Sequence, residues 1–132
     1  MLDKRRTMTE KLVSLFRSSF AENARRSLSA KIRHFYDLYY LASDDNCADY
    51  IQTTSFKQDF AELLAHDKMI FDTPAGWQEK NITQSPLVSD FPMLWNFLKD
   101  IYLSELPKLA FIPIPDEKEV AQMFNMLVEQ LK

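Results

Sequence analysis

The chain contains a single glycine, Gly76, among its 132 residues. Glycine supplies the left-handed backbone conformations that tight hairpins and phosphate-cradling loops require. With one glycine, neither a dinucleotide-binding fingerprint nor a P-loop is possible, since both need several glycines at fixed spacing. A sandwich of many strands is disfavoured for the same reason. The composition therefore predicts an all-α fold, and we expect one compact helical domain over residues 1–132.

The spacing of apolar residues predicts about five helices. They are expected to cover residues 7–20, 30–43, 55–70, 90–106 and 117–131. Residues 23–29 are predicted to form a basic connector, and residues 47–52 are open to a further short helix. The aromatic-rich second helix is expected to be buried around most of its circumference. At most a short extended segment is expected near residues 109–112.

Capping patterns and breakers predict where these helices begin and end. The spacing of a capping box occurs at Thr7 with Glu10, Ser55 with Gln58 and Asp116 with Glu119. Residues 72–76 form a breaker cluster that ends the third helix. Pro107 is expected to end the fourth helix, because proline has no N–H for the helical hydrogen bond.

Charge is distributed unevenly along the chain. The net charge is −3, so the chain as a whole does not have the basic character of a nucleic-acid-binding domain. Residues 4–34 nevertheless contain nine lysines and arginines against two acidic residues, Glu10 and Glu22. We therefore expect an anion to meet this N-terminal third rather than the acidic remainder.

Several classes of site are excluded by composition. The one cysteine, Cys47, forms no internal disulfide and suits a reducing cytoplasm, where we expect the protein to reside. His34 and His66 are too far apart in sequence for a metal motif, so no metal site is predicted. We interpret Cys47 as a packed small residue and His66 as a surface residue at a helix end. No apolar run is long enough to span a membrane.

A candidate polar site involves the first two predicted helices. Arg33 and Asp37 are four residues apart and therefore share one helical face. From spacing alone, the simpler interpretation is an intrahelical ion pair beside core aromatics. The alternative is a polar site between two packed helices, where Lys11 or Arg33 meets phosphate and Asp37 orients one of them. Tyr36, Tyr39 and Tyr40 are interpreted as packing residues rather than as base-stacking ones.

Two segments resemble the AbiEii/AbiGii toxin-type nucleotidyltransferase family. Residues 6–15, RTMTEKLVSL, look like the family's "RT, then EK, then an apolar helix" segment, and residues 29–41, SAKIRHFYDLYYL, look like its "RHYYDLYxL" signature. Residues 65–71 and the Gly76-Trp77 step are similar to its "AHK…F…W" stretch. The resemblance covers nearly the whole chain and concerns the helical C-terminal part of that family.

This resemblance implies a function. Complete family members resemble DNA polymerase-β-type nucleotidyltransferases, with an N-terminal α/β palm that carries a Gly-Ser and an Asp-x-Asp metal pair. If the residue roles of the family apply to the matching positions here, Lys11 contacts the triphosphate and Asp37 orients basic residues or a nucleophile. Arg6 and Arg33 are then further phosphate contacts. Such toxins act in type IV toxin–antitoxin and phage-defence systems, some by adding nucleotides to tRNA ends. Mg²⁺ and a nucleoside triphosphate are expected only for a complete member.

The sequence departs from the family pattern in lacking the palm motifs. The only glycine precedes Trp77, and no Asp-x-Asp pair exists. Because two-metal transfer needs clustered carboxylates, we expect a helical fragment that is inactive alone, from a truncated gene, a misplaced start or a split protein. One alternative is an interaction module that docks a separately encoded palm or an antitoxin, with an exposed apolar patch around the first two helices. A solitary helical domain with vestigial motifs is a third reading.

Overall fold

The helices of the chain are seen in a computed structural model that describes residues 3–109 and 114–131. Over these residues the chain forms eight α-helices, two short 3₁₀ helices and no strand, which confirms the all-α fold. The α-helices are α1 (Lys4–Ser19), α2 (Ala24–Ser29), α3 (Ile32–Ser43), α4 (Asp45–Ile51), α5 (Thr54–Ile70), α6 (Pro86–Ser89), α7 (Phe91–Leu109) and α8 (Glu117–Leu131). None of the helices in these ranges has the length and apolar character needed to cross a bilayer.

The five long helices match the five predicted ones. α4 covers most of residues 47–52, which the sequence left open to a short helix, whereas α2 and α6 were not predicted. The prediction of a connector over residues 23–29 is wrong, because α2 occupies it. The Asn23 side chain caps this helix by accepting a hydrogen bond from the Arg26 N–H at 3.1 Å, and Leu28 is fully buried. A cap and one anchoring apolar residue are therefore sufficient to order a six-residue helix here.

Two of the three predicted N-caps are wrong. α1 begins one turn earlier than predicted, with Asp3 as its N-cap accepting from the Arg5 N–H at 3.0 Å, so Thr7 lies inside the helix. α5 begins after Thr53, which places Ser55 inside it. Asp116 is the N-cap of α8, as predicted, and accepts from the Lys118 N–H at 2.9 Å. Capping-box spacing also occurs inside helices, so it does not by itself identify the first residue.

The C-terminal end of α7 also differs from the prediction. Pro107 lies inside α7, which continues to Leu109. A proline this close to the end removes only one hydrogen bond, and the position whose carbonyl it leaves unpaired, Leu103, has an exposed side chain. The predicted extended segment over residues 109–112 begins at a residue that is helical, and its remainder lies outside the described residues.

The breaker cluster after α5 acts as predicted. α5 ends at Ile70, and Gly76 has a φ of 79°, which is a left-handed conformation that glycine adopts without strain. Trp77 follows, fully buried, and its Nε1–H donates to the carbonyl of Phe71 at 2.9 Å. This hydrogen bond ties the turn to the end of the preceding helix.

α1 is the central helix of the bundle. It packs against α2, α3, α4, α5 and α6. Its fully buried apolar residues are Met8, Leu12, Val13, Leu15 and Phe16. These residues form the buried side of α1, and the half-buried Lys11 and Ser14 lie at its polar edge.

α3 is exposed only on a narrow open face with Arg33, Tyr40 and Ser43, which agrees with the prediction that it is buried around most of its circumference. Its buried residues are Ile32, Phe35, Leu38 and Ala42. Phe35 anchors this face, with ring centroids 5.4 Å from Trp95 on α7 and 5.2 Å from Phe124 on α8. Tyr40 on the open face is 40% exposed and packs against Tyr36 and Tyr39 instead of entering the core. The tyrosine-rich sequence therefore reflects aromatic packing at the edge of α3.

Candidate functional site

The polar edge of α1 lies against α3, and together they form what we call the α1–α3 seam. On α1 it contains Lys11 and Ser14, which are three residues apart and so lie one turn from each other. On the other side it contains Lys31, just before α3, and His34 and Asp37 one turn apart on α3. All five side chains are intermediate between buried and exposed.

The structure brings Lys11 and Asp37 together. Lys11 Nζ lies 3.1 Å from Asp37 Oδ2, and the two side chains are 25% and 24% exposed. Arg33 Nε is 3.9 Å from the other oxygen, Asp37 Oδ1, and the Arg33 side chain is largely exposed. The intrahelical ion pair suggested by the spacing is therefore present, together with an ion pair between the two helices. Asp37 takes part in an intrahelical pair with Arg33 and in a shorter pair between two helices with Lys11.

Arg6 is not brought to the seam. Its Nε lies 2.9 Å from Glu10 Oε1, one turn along the same helix, and both side chains are more than half exposed. Arg6 instead lines a cleft between the N-terminal part of α1 and helices α4 and α5. Of the predicted phosphate contacts, Arg6 thus lies apart from Lys11, Arg33 and Asp37.

Lys31 is a member of the seam that the sequence did not identify. Its Nζ donates to Ser14 Oγ at 2.7 Å, which ties the start of α3 to the polar edge of α1. Burial lowers the pKa of Lys31, and the positive charge of Arg17 lowers it further. Lys31 precedes α3 and therefore has no place in the helical spacing that singled out Arg33 and Asp37. Its membership of the basic N-terminal third was the only signal in the sequence.

His34 lies among the charged groups of the seam. Burial is the main cause that lowers its pKa from the ordinary value of 6.5, and the charges of Lys11 and Lys31 lower it further, while Asp37 acts in the opposite direction. The imidazole is therefore neutral near pH 7. A neutral imidazole can donate one hydrogen bond and accept another.

The seam and the adjoining Arg33 together carry a net positive charge. Lys11, Lys31 and Arg33 are opposed by one carboxylate, Asp37. Such a cluster at the boundary of a protein attracts anions, and lysine ammonium groups bind phosphate oxygens as point charges. The arrangement is chemically suited to hold phosphate groups, with Asp37 fixing the direction of the Lys11 side chain.

A metal site does not fit the part of the chain that the structure describes. Residues 3–109 and 114–131 contain no group of three or more histidine, cysteine, aspartate or glutamate side chains that could hold a metal ion. Cys47 is fully buried, and burial raises the pKa of its thiol, so it has the character of a packing residue.

A cleft between α1, α4 and α5 forms a second polar surface. It is lined by residues of both charge signs, including Arg5, Arg6 and Asp59. Tyr50 donates to Asp59, and burial together with this contact raises the pKa of Tyr50 to about 12. His66 lines the same cleft and is exposed, as predicted for a surface histidine. Because its charges balance locally, this cleft is less suited to a polyanion than the seam.

Comparison with known proteins agrees with the resemblance seen in the sequence. Residues 1–131 match the family model described as "Nucleotidyl transferase AbiEii toxin, Type IV TA system". No curated protein and no solved structure matches the chain significantly. The family match spans every residue of the seam, and with it nearly the whole sequence. The chain belongs to the AbiEii family of nucleotidyl transferase toxins.

Proposed function

We propose that this chain binds the phosphate groups of a nucleoside triphosphate through the α1–α3 seam, as the phosphate-binding helical part of a toxin-type nucleotidyltransferase. The observation that carries the proposal is the Lys11–Asp37 pair, with its 3.1 Å distance and its partly exposed position. Membership of a nucleotidyl transferase family supports the choice of a nucleotide as ligand.

The position of Lys11 suits a group that has to meet a ligand in a defined direction. An ammonium on a flexible stem reaches phosphate oxygens only where solvent has access, and a carboxylate partner limits its rotamers. Lys11 then supplies a point charge that stabilises a departing pyrophosphate. Arg33, close to Asp37 and largely exposed, is available as a second donor to the same phosphate.

The proposal assigns phosphate binding, rather than the transfer step, to the residues of this chain. Transfer by two metal ions needs clustered carboxylates, and the sequence has no Asp-x-Asp pair and no Gly-Ser. We therefore expect no labelled nucleotide to be incorporated into RNA when the purified chain is incubated with Mg²⁺, nucleoside triphosphates and RNA. Incorporation that depends on Lys11 would show that this chain also carries out the transfer step, contrary to the proposal.

Calorimetric titration with ATP tests the binding. Lys11→Met removes the ammonium but keeps most of the aliphatic stem, and we expect it to weaken ATP binding about tenfold, the loss typical of one charge-assisted hydrogen bond. The matched control is Lys108→Met on α7, since Lys108 is an exposed lysine whose nearest carboxylate oxygen, on Glu105, is 3.8 Å away. This control should bind ATP as the wild type does. Equal affinities for wild type and Lys11→Met, or no binding by either, would refute the proposal.

The alternative of an interaction module is not favoured at the face where the sequence predicted it. A toxin–antitoxin family does indicate an antitoxin as counterpart. An exposed apolar patch was expected around the first two predicted helices, but in the described part of the chain α1 exposes no large apolar side chain and α3 exposes only Tyr40. The other exposed large apolar residues are Met69, Ile70, Phe71, Met93, Phe97 and Leu103. They lie at the end of α5 and along α7.

A further inference from the structure

A second group of positive charge lies one turn along α1 from Lys11. Lys31 Nζ is held by Ser14, 2.7 Å from its hydroxyl oxygen and 3.5 Å from its carbonyl oxygen. Arg17 follows Ser14 by three residues, and its guanidinium lies 3.8 Å from the ring centroid of Phe71. Within residues 3–109 and 114–131, neither cation has a carboxylate at ion-pair distance. In this respect the two cations differ from Lys11, which is paired with Asp37.

Placing two like charges together at a partly buried position costs free energy. Repulsion by Arg17, added to the effect of burial, lowers the pKa of Lys31. An anion beside the two cations would replace this repulsion by attraction. The hydroxyl of Ser14 provides one further hydrogen-bonding group at the same point. The cluster thus has the charge, the hydrogen-bond donors and the partial exposure of an anion site. It contains no carboxylate that would neutralise its positive charge.

The second cluster and the Lys11 site are close enough to serve one ligand. Lys11 and Ser14 lie one turn apart on the same edge of α1, and a turn advances about 5.4 Å along the helix. Because Lys31 Nζ lies at the Ser14 hydroxyl, this spacing brings the Lys31 ammonium close to the Lys11 side chain.

We propose that Lys31, positioned by Ser14, binds a second phosphate group next to the one held by Lys11, so that the seam recognises linked phosphates. This inference rests on the proposed phosphate-binding function and adds Lys31 as a second phosphate contact to it. An RNA strand, whose phosphates are single and separated by sugars, is the competing ligand. The short spacing along α1 between Lys11 and the Ser14 that holds Lys31 favours the linked phosphates of a nucleotide.

The test compares ligands that have one phosphate with ligands that have two or more. Titrations of AMP, ATP and pyrophosphate are made with the wild type, Lys31→Met, Lys31→Arg and Lys11→Met. Lys31→Met should weaken ATP and pyrophosphate binding about tenfold while changing AMP affinity less than about twofold. Lys31→Arg keeps the charge and should restore most of the ATP affinity. Ser14→Ala, a second variant with little effect on packing, should reduce the preference for ATP over AMP about threefold.

The outcomes separate this inference from the proposed function. If Lys11→Met weakens ATP binding and Lys31→Met does not, the inference is wrong and the proposed function stands. Equal weakening of AMP and ATP by Lys31→Met would mean a single shared anion site, which also overturns it. The inference is also overturned if Lys31→Met weakens the binding of a short RNA without a terminal polyphosphate but leaves the affinity for ATP unchanged. If Lys11→Met changes no affinity, the proposed function itself fails. Circular dichroism and thermal melting establish that each variant is folded.

Discussion

At the level of single residues, the Lys11–Asp37 pair lies between the surface and the core. Exposed ion pairs contribute about 0–1 kcal/mol, because water screens them and side-chain entropy opposes them. With its side chains only 25% and 24% exposed, this pair should couple more strongly than Arg6–Glu10, where the exposures are 63% and 56%. We expect a double-mutant cycle with Lys11→Met and Asp37→Asn to give about 1 kcal/mol in urea denaturation. The cycle with Arg6→Met and Glu10→Gln should give less than about 0.5 kcal/mol, and the reverse order would contradict the role of burial.

His34 should make the stability of the fold depend on pH. Burial, with the charges of Lys11 and Lys31, holds its pKa below the ordinary value of 6.5, so the unfolded chain binds a proton before the folded chain does. The folded state is therefore favoured fully above pH 6.5 and loses this contribution as the pH falls through the lower, folded value.

Thermal melting at pH 7 and pH 5 measures this effect. The decrease in Tm between the two pH values should be smaller for His34→Gln than for the wild type, because the variant lacks the titrating group. His66→Gln replaces the exposed histidine of the other cleft and should retain the wild-type decrease. Identical pH dependence for wild type and His34→Gln would show that His34 does not contribute.

At the level of helices, the N-caps seen in the structure make a prediction about stability. Asp116 accepts from the Lys118 N–H at 2.9 Å and caps α8. Asp116→Ala should cost about 1 kcal/mol in urea denaturation, whereas Asp116→Asn retains the acceptor and should cost a few tenths. Thr7 has the spacing of a cap but lies inside α1, so Thr7→Ala should cost less than about 0.5 kcal/mol. A large loss of stability in Thr7→Ala would instead indicate that Thr7 is the N-cap of α1.

How far the helices follow from the sequence depends on the kind of signal. The five long helices were predictable because burial against a core imposes a 3.6-residue repeat on apolar residues, as in α1 and α8. The first residue of α1, the helix over residues 24–29 and the continuation of α7 through Pro107 were not. In each case more than one nearby residue could begin or end the helix, and tertiary packing decides which of them does so.

The same distinction applies to the residues of the seam. Spacing placed Arg33 and Asp37 on one face and made Lys11 a candidate on another helix, and the family resemblance gave Lys11 its phosphate-binding role. Lys31 and His34 were missed, because their membership depends on which turn of α1 meets α3. The packing of α1 against α3 is a tertiary contact, and it is not visible as a repeating pattern in the sequence of either helix.

At the level of the whole molecule, one aromatic residue links three helices. Phe35 of α3 contacts the rings of Trp95 on α7 and Phe124 on α8, and it is 1% exposed. Phe35→Ala should cost about 3–5 kcal/mol in urea denaturation, a large part of the stability of a protein of this size. Met69→Ala, at a residue that is 85% exposed, should change stability by less than about 0.5 kcal/mol. A mild effect of Phe35→Ala would mean that the three helices are held together by other contacts.

Because α1 is packed against five neighbouring helices, we expect the seam to be coupled to the slowest opening motions of the protein. Amides at the centre of such a helix exchange their hydrogen with solvent only when the bundle opens as a whole, because no local fraying releases them. A ligand bound by the side chain of Lys11 disfavours that opening in proportion to its occupancy. Filling a small surface site would thus slow isotope exchange at amides far from it, in helices that never touch the ligand.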